Sequence, residues 1–157
     1  MNVFDYLFSE SGELEKDFLL GATEIASYQK IYQQSLLLAE YLRINVGENQ
    51  HIIVMGHNSL FFITAYLGIL KSGNICIPLN PVLEQENLRY IISLTDCRLS
   101  FISQQVTTPE DLSITVINES RMDELLNRIA EYETNNYDKS FDDNRVAEII
   151  FTSGSTG

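Results

Sequence analysis

The residues with the clearest capacity for chemistry close the sequence: Thr152-Ser153-Gly154-Ser155-Thr156-Gly157. Each is Gly, Ser or Thr. Small side chains let a backbone come close to a ligand, glycine admits positive φ, and successive free N–H groups can cup an anion. The run Val146 to Phe151, apolar but for Glu148, directly precedes them and predicts a buried strand. A strand that feeds a Gly/Ser/Thr loop is the general form of a phosphate cradle. On their own, six small polar residues read equally well as a disordered linker.

Other phosphate and nucleophile motifs do not fit. A Walker A loop needs Lys after its second Gly at a fixed gap, and no such spacing occurs. The G-x-S-x-G elbow fails because residue 151 is Phe and residue 153 is Ser. Cys76 and Cys97 lie in apolar surroundings without C-x-x-C or Cys/His spacing, so reduced core thiols are expected. His51 and His57 read as a strand-edge and a turn residue, with no nearby partner for a triad. No catalytic residue and no metal site is assigned. Asp142-Asp143 lacks the spacing of a Ca²⁺ loop.

The elements that must position the loop are legible from period and caps. Val3 to Phe8 predicts a short helix with Val3, Phe4, Leu7 and Phe8 on one side. Phe18 to Leu20 predicts a short strand, and Ala22 to Ala26 a turn or a second one. Ser27 is a candidate N-cap for a helix that carries Tyr28, Ile31, Ser35, Leu38, Ala39 and Leu42 at helical spacing, stopped by Gly47. Gln50 to Gly56 is a β-branched run without alternation, as expected of a parallel strand covered on both faces. Leu60 to Lys71 is a helix apolar nearly all round, capped by Ser59 and ended at Ser72-Gly73. Asn74 to Ile77 is the next strand, which Pro78 is expected to stop.

Further on, Glu84 to Leu94 predicts a helix with Leu88, Ile91 and Ile92 inward, and Arg98 to Ile102 a strand. Ser113 to Ile117 alternates as a strand near an edge. Met122 to Ile129 is a helix, with Asp123 and Glu124 in its first turn. Residues 131–144 are polar and acidic and predict a mobile connection. Alternation of strand and helix gives an α/β fold with a largely parallel sheet and helices on both faces. Ligands of such sheets bind at the carboxyl ends of the strands, where Thr152 to Gly157 would sit.

Two stretches carry a family resemblance. Thr152 to Gly157 resembles the first six residues of the phosphate-binding signature of adenylate-forming, AMP-binding enzymes. Leu67-Gly68-Ile69-Leu70-Lys71-Ser72-Gly73 through Pro81 resembles that family's second core motif, with Ser72 where Ala is common. The ending Pro78-Leu79-Asn80-Pro81 looks more like acyl-CoA synthetases than amino-acid adenylation domains. The resemblance spans residues 27–157 and implies the first part of the large N-terminal domain of such an enzyme, with residues 1–157 a partial domain.

The implied parent is a ligase that uses ATP and Mg²⁺. A carboxylate attacks the ATP α-phosphate to give an acyl-adenylate, and CoA or another thiol then takes the acyl group. Thr152, Ser153, Gly154, Ser155, Thr156 and Gly157 would hold the β- and γ-phosphates. The signature's Pro-Lys-Gly continuation is absent from these 157 residues, so they are expected to be inactive alone and to bind ATP no tighter than millimolar. Surfaces such as the Leu60–Leu70 helix or the Val146–Phe151 strand are expected to be exposed and to promote self-association. The alternative reading is a non-catalytic α/β binding or interaction module with an incidental polar tail.

Composition sets outer bounds. At 157 residues and 45% hydrophobic the chain is one globular unit. A net charge of −12 argues against a nucleic-acid partner, since there is no basic stripe to displace counterions. Met1 to Gly21 carries Asp5, Glu10, Glu13, Glu15 and Asp17 and lacks the basic start of a signal peptide. The longest apolar run is too short to span a bilayer. A cytoplasmic protein is expected.

Overall fold

The computed structural model describes residues 2–21, 23–130 and 144–152. In chain order its elements are helix α1 (Val3–Phe8), strands β1 (Asp17–Leu20) and β2 (Ile25–Ser27), and helix α2 (Tyr28–Asn45). Then follow β3 (His51–Met55), α3 (Leu60–Lys71), β4 (Ile75–Leu79) and α4 (Gln85–Thr95). Strands β5 (Leu99–Ile102) and β6 (Thr115–Ile117) and helix α5 (Glu119–Ile129) complete the series.

Sequence punctuation sets these boundaries. Ser27 and Ser59 accept from the Lys30 and Phe62 amides at 3.1 and 3.2 Å and start α2 and α3. Gly47 and Gly73 adopt φ of 89° and 78° and end the same two helices, a conformation that costs other residues. Asn118 caps α5 through the Arg121 amide at 3.1 Å, so this helix begins at Glu119, before the expected Met122. Its first-turn acid is therefore Glu119, in place of Asp123 and Glu124.

Four parallel strands form the main sheet, in the order β4-β3-β5-β6. Helices cover both faces, as the unalternating strands require. On one face Ile52 and Val54 of β3 meet Leu38 and Leu42 of α2, Phe61, Ala65 and Ile69 of α3, and Met122 and Leu126 of α5. On the other, Ile53 and Met55 meet Leu88 and Ile91 of α4 together with Ile77, Leu79 and Ile102. A third cluster seats α1 against α2 and α3 through Phe4, Phe8, Ile31 and Leu67. Strands β1 and β2 pair antiparallel in a separate small sheet, outside the expected alternation.

Three expectations need correction. In α1 only Phe4 and Phe8 are buried, while Val3 and Leu7 are about half exposed, because a six-residue helix buries one row of side chains. Strand β4 continues through Pro78 to Leu79. Cys76 exchanges hydrogen bonds with Ala147 and Ile149, away from β3, and the two-residue period turns Pro78 the same way. Its missing N–H therefore removes nothing from the β3 ladder. Finally, α3 is not an exposed surface. It lies beneath α1 and α2, and a methyl on Gly68 would stand 2.9 Å from Leu38 Cδ2, so the helices cross closely.

Inside this layer Lys71 is fully buried, with Nζ 2.6 Å from Asp5 Oδ1 and 5.6 Å from the centre of the Phe4 ring. The pair fastens α1 to the end of α3. Cys76 and Cys97 are free, buried thiols, as their apolar surroundings and spacing predicted. No helix among the described residues is long and apolar enough to cross a membrane.

Candidate functional site

The segment that delivers Thr152 is an added edge of the sheet. Glu148 forms a parallel bridge with Cys76 of β4. The Cys76 amide donates to Ala147 O at 3.0 Å, and the Ile149 amide donates to Cys76 O at 2.9 Å. Ile149 and Phe151 pack on the α4-side core, whereas Val146 and Ile150 are 55% and 64% exposed. Among the described residues, the expected buried strand is therefore a partly exposed edge held by a single bridge. Its alternate residues face the core and solvent, which a β-branched run does not reveal.

Side chains strengthen the attachment. At the amino end, the Arg145 guanidinium donates to Asn49 Oδ1 at 2.6 Å and to the Gly73 carbonyl, with Glu48 3.6 Å away. Asn74 closes the same corner: its Oδ1 accepts from the Gln50 amide and its Nδ2 donates to Gly47 O, both at 2.9 Å. Midway, the Tyr66 hydroxyl of α3 donates to Glu148 Oε2 at 2.9 Å. Burial and the Glu148 charge push the Tyr66 phenol well above its ordinary range, so it remains a donor. Burial likewise raises the Cys76 and Cys97 thiols and leaves them protonated.

Running parallel to β4, the segment carries its chain towards the carboxyl edge of the sheet. There Phe151 and Thr152 border a cleft of about 710 Å³ shared with Leu79, Asn80, Glu84, Asn87 and Tyr90. Asn80 shapes its rim by accepting from the Val82 amide at 3.0 Å. Among the described residues neither Lys nor Arg lines this cleft. An anion beside it would rest on N–H and hydroxyl donors, the kind that a Gly/Ser/Thr loop supplies. Thr152, the first of the predicted binding residues, is exposed at this rim. Ser153, Gly154, Ser155, Thr156 and Gly157 lie outside the described residues, as does the acidic connection apart from Asn144.

A second cluster stands past β5. Ser103 donates to Glu119 Oε1 at 2.6 Å, and the Gln104 amide donates to Glu119 Oε2 at 2.7 Å. Gly56 lies against it, where a Cβ would come 3.2 Å from Ser103 Cβ. These bonds fasten the exit of β5 to the start of α5 and place Glu119 in a structural role. Sequence reading missed Arg145, Tyr66 and Glu119. Each works across 15 or more residues of separation, which local period cannot show. Among the described residues no group of three His, Cys, Asp or Glu could hold a metal ion.

Comparison with known proteins bears on this arrangement. The family model described as AMP-binding enzyme matches residues 10–157. Surfactin synthase subunit 1 of Bacillus subtilis is 31% identical over 156 residues, 96% of this chain and 4% of its own length. A D-alanine--D-alanyl carrier protein ligase of Listeria welshimeri is 35% identical over 137 residues, 83% of this chain and 26% of the relative. The crystal structure of VinN superposes with a TM-score of 0.83 at 23% identity, covering all of this chain and 43% of VinN. The N-terminal domain of FACL13 from Mycobacterium tuberculosis gives 0.68 at 19%, over 85% of this chain and 36% of that one. The chain thus spans a minor part of the relatives it matches.

Proposed function

The chain belongs to the family of AMP-binding enzymes, and from that premise we propose that it forms the phosphate-gripping side of an ATP-dependent carboxylate-activating ligase. The supporting observation is the parallel bridge of Glu148 with β4, which aims Thr152 at the carboxyl edge beside an open cleft. Thr152 to Gly157 would hold the β- and γ-phosphates through amides and hydroxyls. Such donors count most where charge develops, here on the departing pyrophosphate. Mg²⁺ that accompanies the nucleotide would supply further neutralisation of that charge. The carboxylate attacks the α-phosphate, the bond to the bridging oxygen breaks, and pyrophosphate leaves with the electron pair.

The acyl group of the adenylate then passes to a thiol. Pro78-Leu79-Asn80-Pro81 favours CoA as acceptor, whereas the name of the D-alanine--D-alanyl carrier protein ligases favours a carrier protein and an amino-acid substrate. The identity of those relatives over most of this chain carries more weight than one tetrapeptide, so the carrier protein is the acceptor we adopt. Residues 1–157, of which 83% match 26% of the carrier protein ligase, are assigned phosphate binding and no turnover of their own.

Carboxylate-dependent exchange of labelled pyrophosphate into ATP tests this reading. The full polypeptide that carries these residues should exchange with at least one amino acid, and residues 1–157 alone with none. Exchange by residues 1–157, or none by the full polypeptide with amino acids or fatty acids, would overturn it.

A further inference from the structure

One attachment of the loop-bearing edge to the described residues joins side chains 82 residues apart. We propose that Tyr66 and Glu148 are positioning residues for the phosphate-binding loop: their hydrogen bond sets where the edge segment lies on β4, and so the point from which residues 153–157 depart. The proposal rests on the loop's function as read above.

Several features single out this pair. Among the described residues the backbone holds the segment through two hydrogen bonds, both at Cys76. A one-bridge attachment leaves the segment free to pivot about Cys76. Arg145 restrains the amino side of that pivot, on the edge of the sheet opposite the loop. On the carboxyl side Ile149 and Phe151 bear on one face only, through apolar contacts that do not fix direction. Glu148 is the residue at the pivot itself, and it points to the other face, where Tyr66 meets it at 2.9 Å.

The donor is fixed in turn. Tyr66 sits in the middle of α3 between Ala65 and Leu67, both buried, and its ring packs on two core clusters. A neutral, held phenol on a rigid helix facing a carboxylate on a loose edge is the arrangement that converts helix position into loop position. A mere solubilising role for Glu148 would not need a partner from α3.

The probe is Mg·ATP, titrated into isotope-labelled residues 1–157 and followed by amide resonances, with Gly154 and Gly157 as reporters. Tyr66→Phe keeps the ring and removes the donor. Glu148→Ala removes the acceptor at an exposed site. Each should weaken binding about threefold to tenfold, the range that a hydrogen bond to a charged group at a half-exposed site supports. Both together should weaken it no further than either alone. Glu148→Gln, which retains an acceptor, should stay within about twofold of the unaltered chain, a rescue that general destabilisation would not produce.

Unchanged affinity in both Tyr66→Phe and Glu148→Ala would overturn the proposal, as would a double variant whose losses add. Absence of any Mg·ATP binding by the unaltered chain would instead count against the functional reading. In that event the reporters decide the positioning claim by themselves. Tyr66→Phe shifts the free Gly154 and Gly157 amides if the pair positions the loop, and leaves them unmoved if it does not.

Discussion

The centre of the sheet and its loop-bearing edge are built on opposite terms. Strand β3 pairs in parallel on both sides, with β4 over five register positions and with β5 over four, and Ile52 to Val54 are wholly buried. Among the described residues the segment 145–152 pairs on one side through a single bridge and leaves Val146 and Ile150 exposed. The centre is stabilised by burial, which is strong and without direction. The edge is placed by a few directional bonds from Arg145 and Tyr66, which contribute little stability but specify position. Binding groups tend to sit on weakly held segments carried by a rigid scaffold, and the proposed phosphate site would follow that division.

Substitutions in the two regions should therefore separate stability from binding. The largest effect is expected at the centre. Phe101 is fully buried on β5 against Phe61 of α3, with ring centres 6.5 Å apart. Phe101→Ala should cost about 3–5 kcal/mol of unfolding free energy in a denaturant titration. A loss below about 1 kcal/mol would mean that this face of the core is not packed as described.

An intermediate effect joins the two regions and depends on pH. Cys76, on the strand that carries the edge, has its thiol raised above 9.0 by burial, and Tyr66 has its phenol raised above 10.0. In the unfolded chain both groups ionise at their ordinary values, while the folded chain holds them neutral. The stability they lend is therefore complete below pH 9 and declines as the pH climbs past it. Melting temperature should begin to fall near pH 9, and a flat profile to pH 10.5 would contradict this.

The smallest effect on stability is expected at the edge. Ile149→Pro removes the amide that donates to Cys76 O at 2.9 Å and should lower global stability by about 0.5–1.5 kcal/mol, the net worth of one such bond. A loss as large as that of Phe101→Ala would mean that the edge belongs to the cooperative core after all.

This contrast also explains what could be read in advance. The βαβ unit from His51 to Leu79 was legible because its period, caps and glycines agree with one another: Ser59 and Gly73 bracket α3 as their types dictate. The family was legible from two motifs, whereas the phosphate-binding role proposed for Thr152 to Gly157 rests on residue type. The edge was misread because Val146 to Phe151 has the composition of a buried strand, and composition does not report how many neighbours a strand acquires. Pro78 was misread for a related reason. Whether a missing N–H matters depends on which side of the strand it faces, and that follows from the placing of residues 147–149 beside β4. Lys71 at a buried position opposite Asp5, 66 residues away, is a further pairing that no local pattern announces.

Mg·ATP titrated into isotope-labelled residues 1–157, with every amide followed, tests most directly whether the carboxyl edge of β4 is the phosphate-binding side of the fold. Resonances of Thr152 to Gly157 and of the cleft rim at Asn80 to Glu84 should move together and saturate in the millimolar range. Saturable changes confined to β6 and α5, or none at any of these amides, would contradict the account.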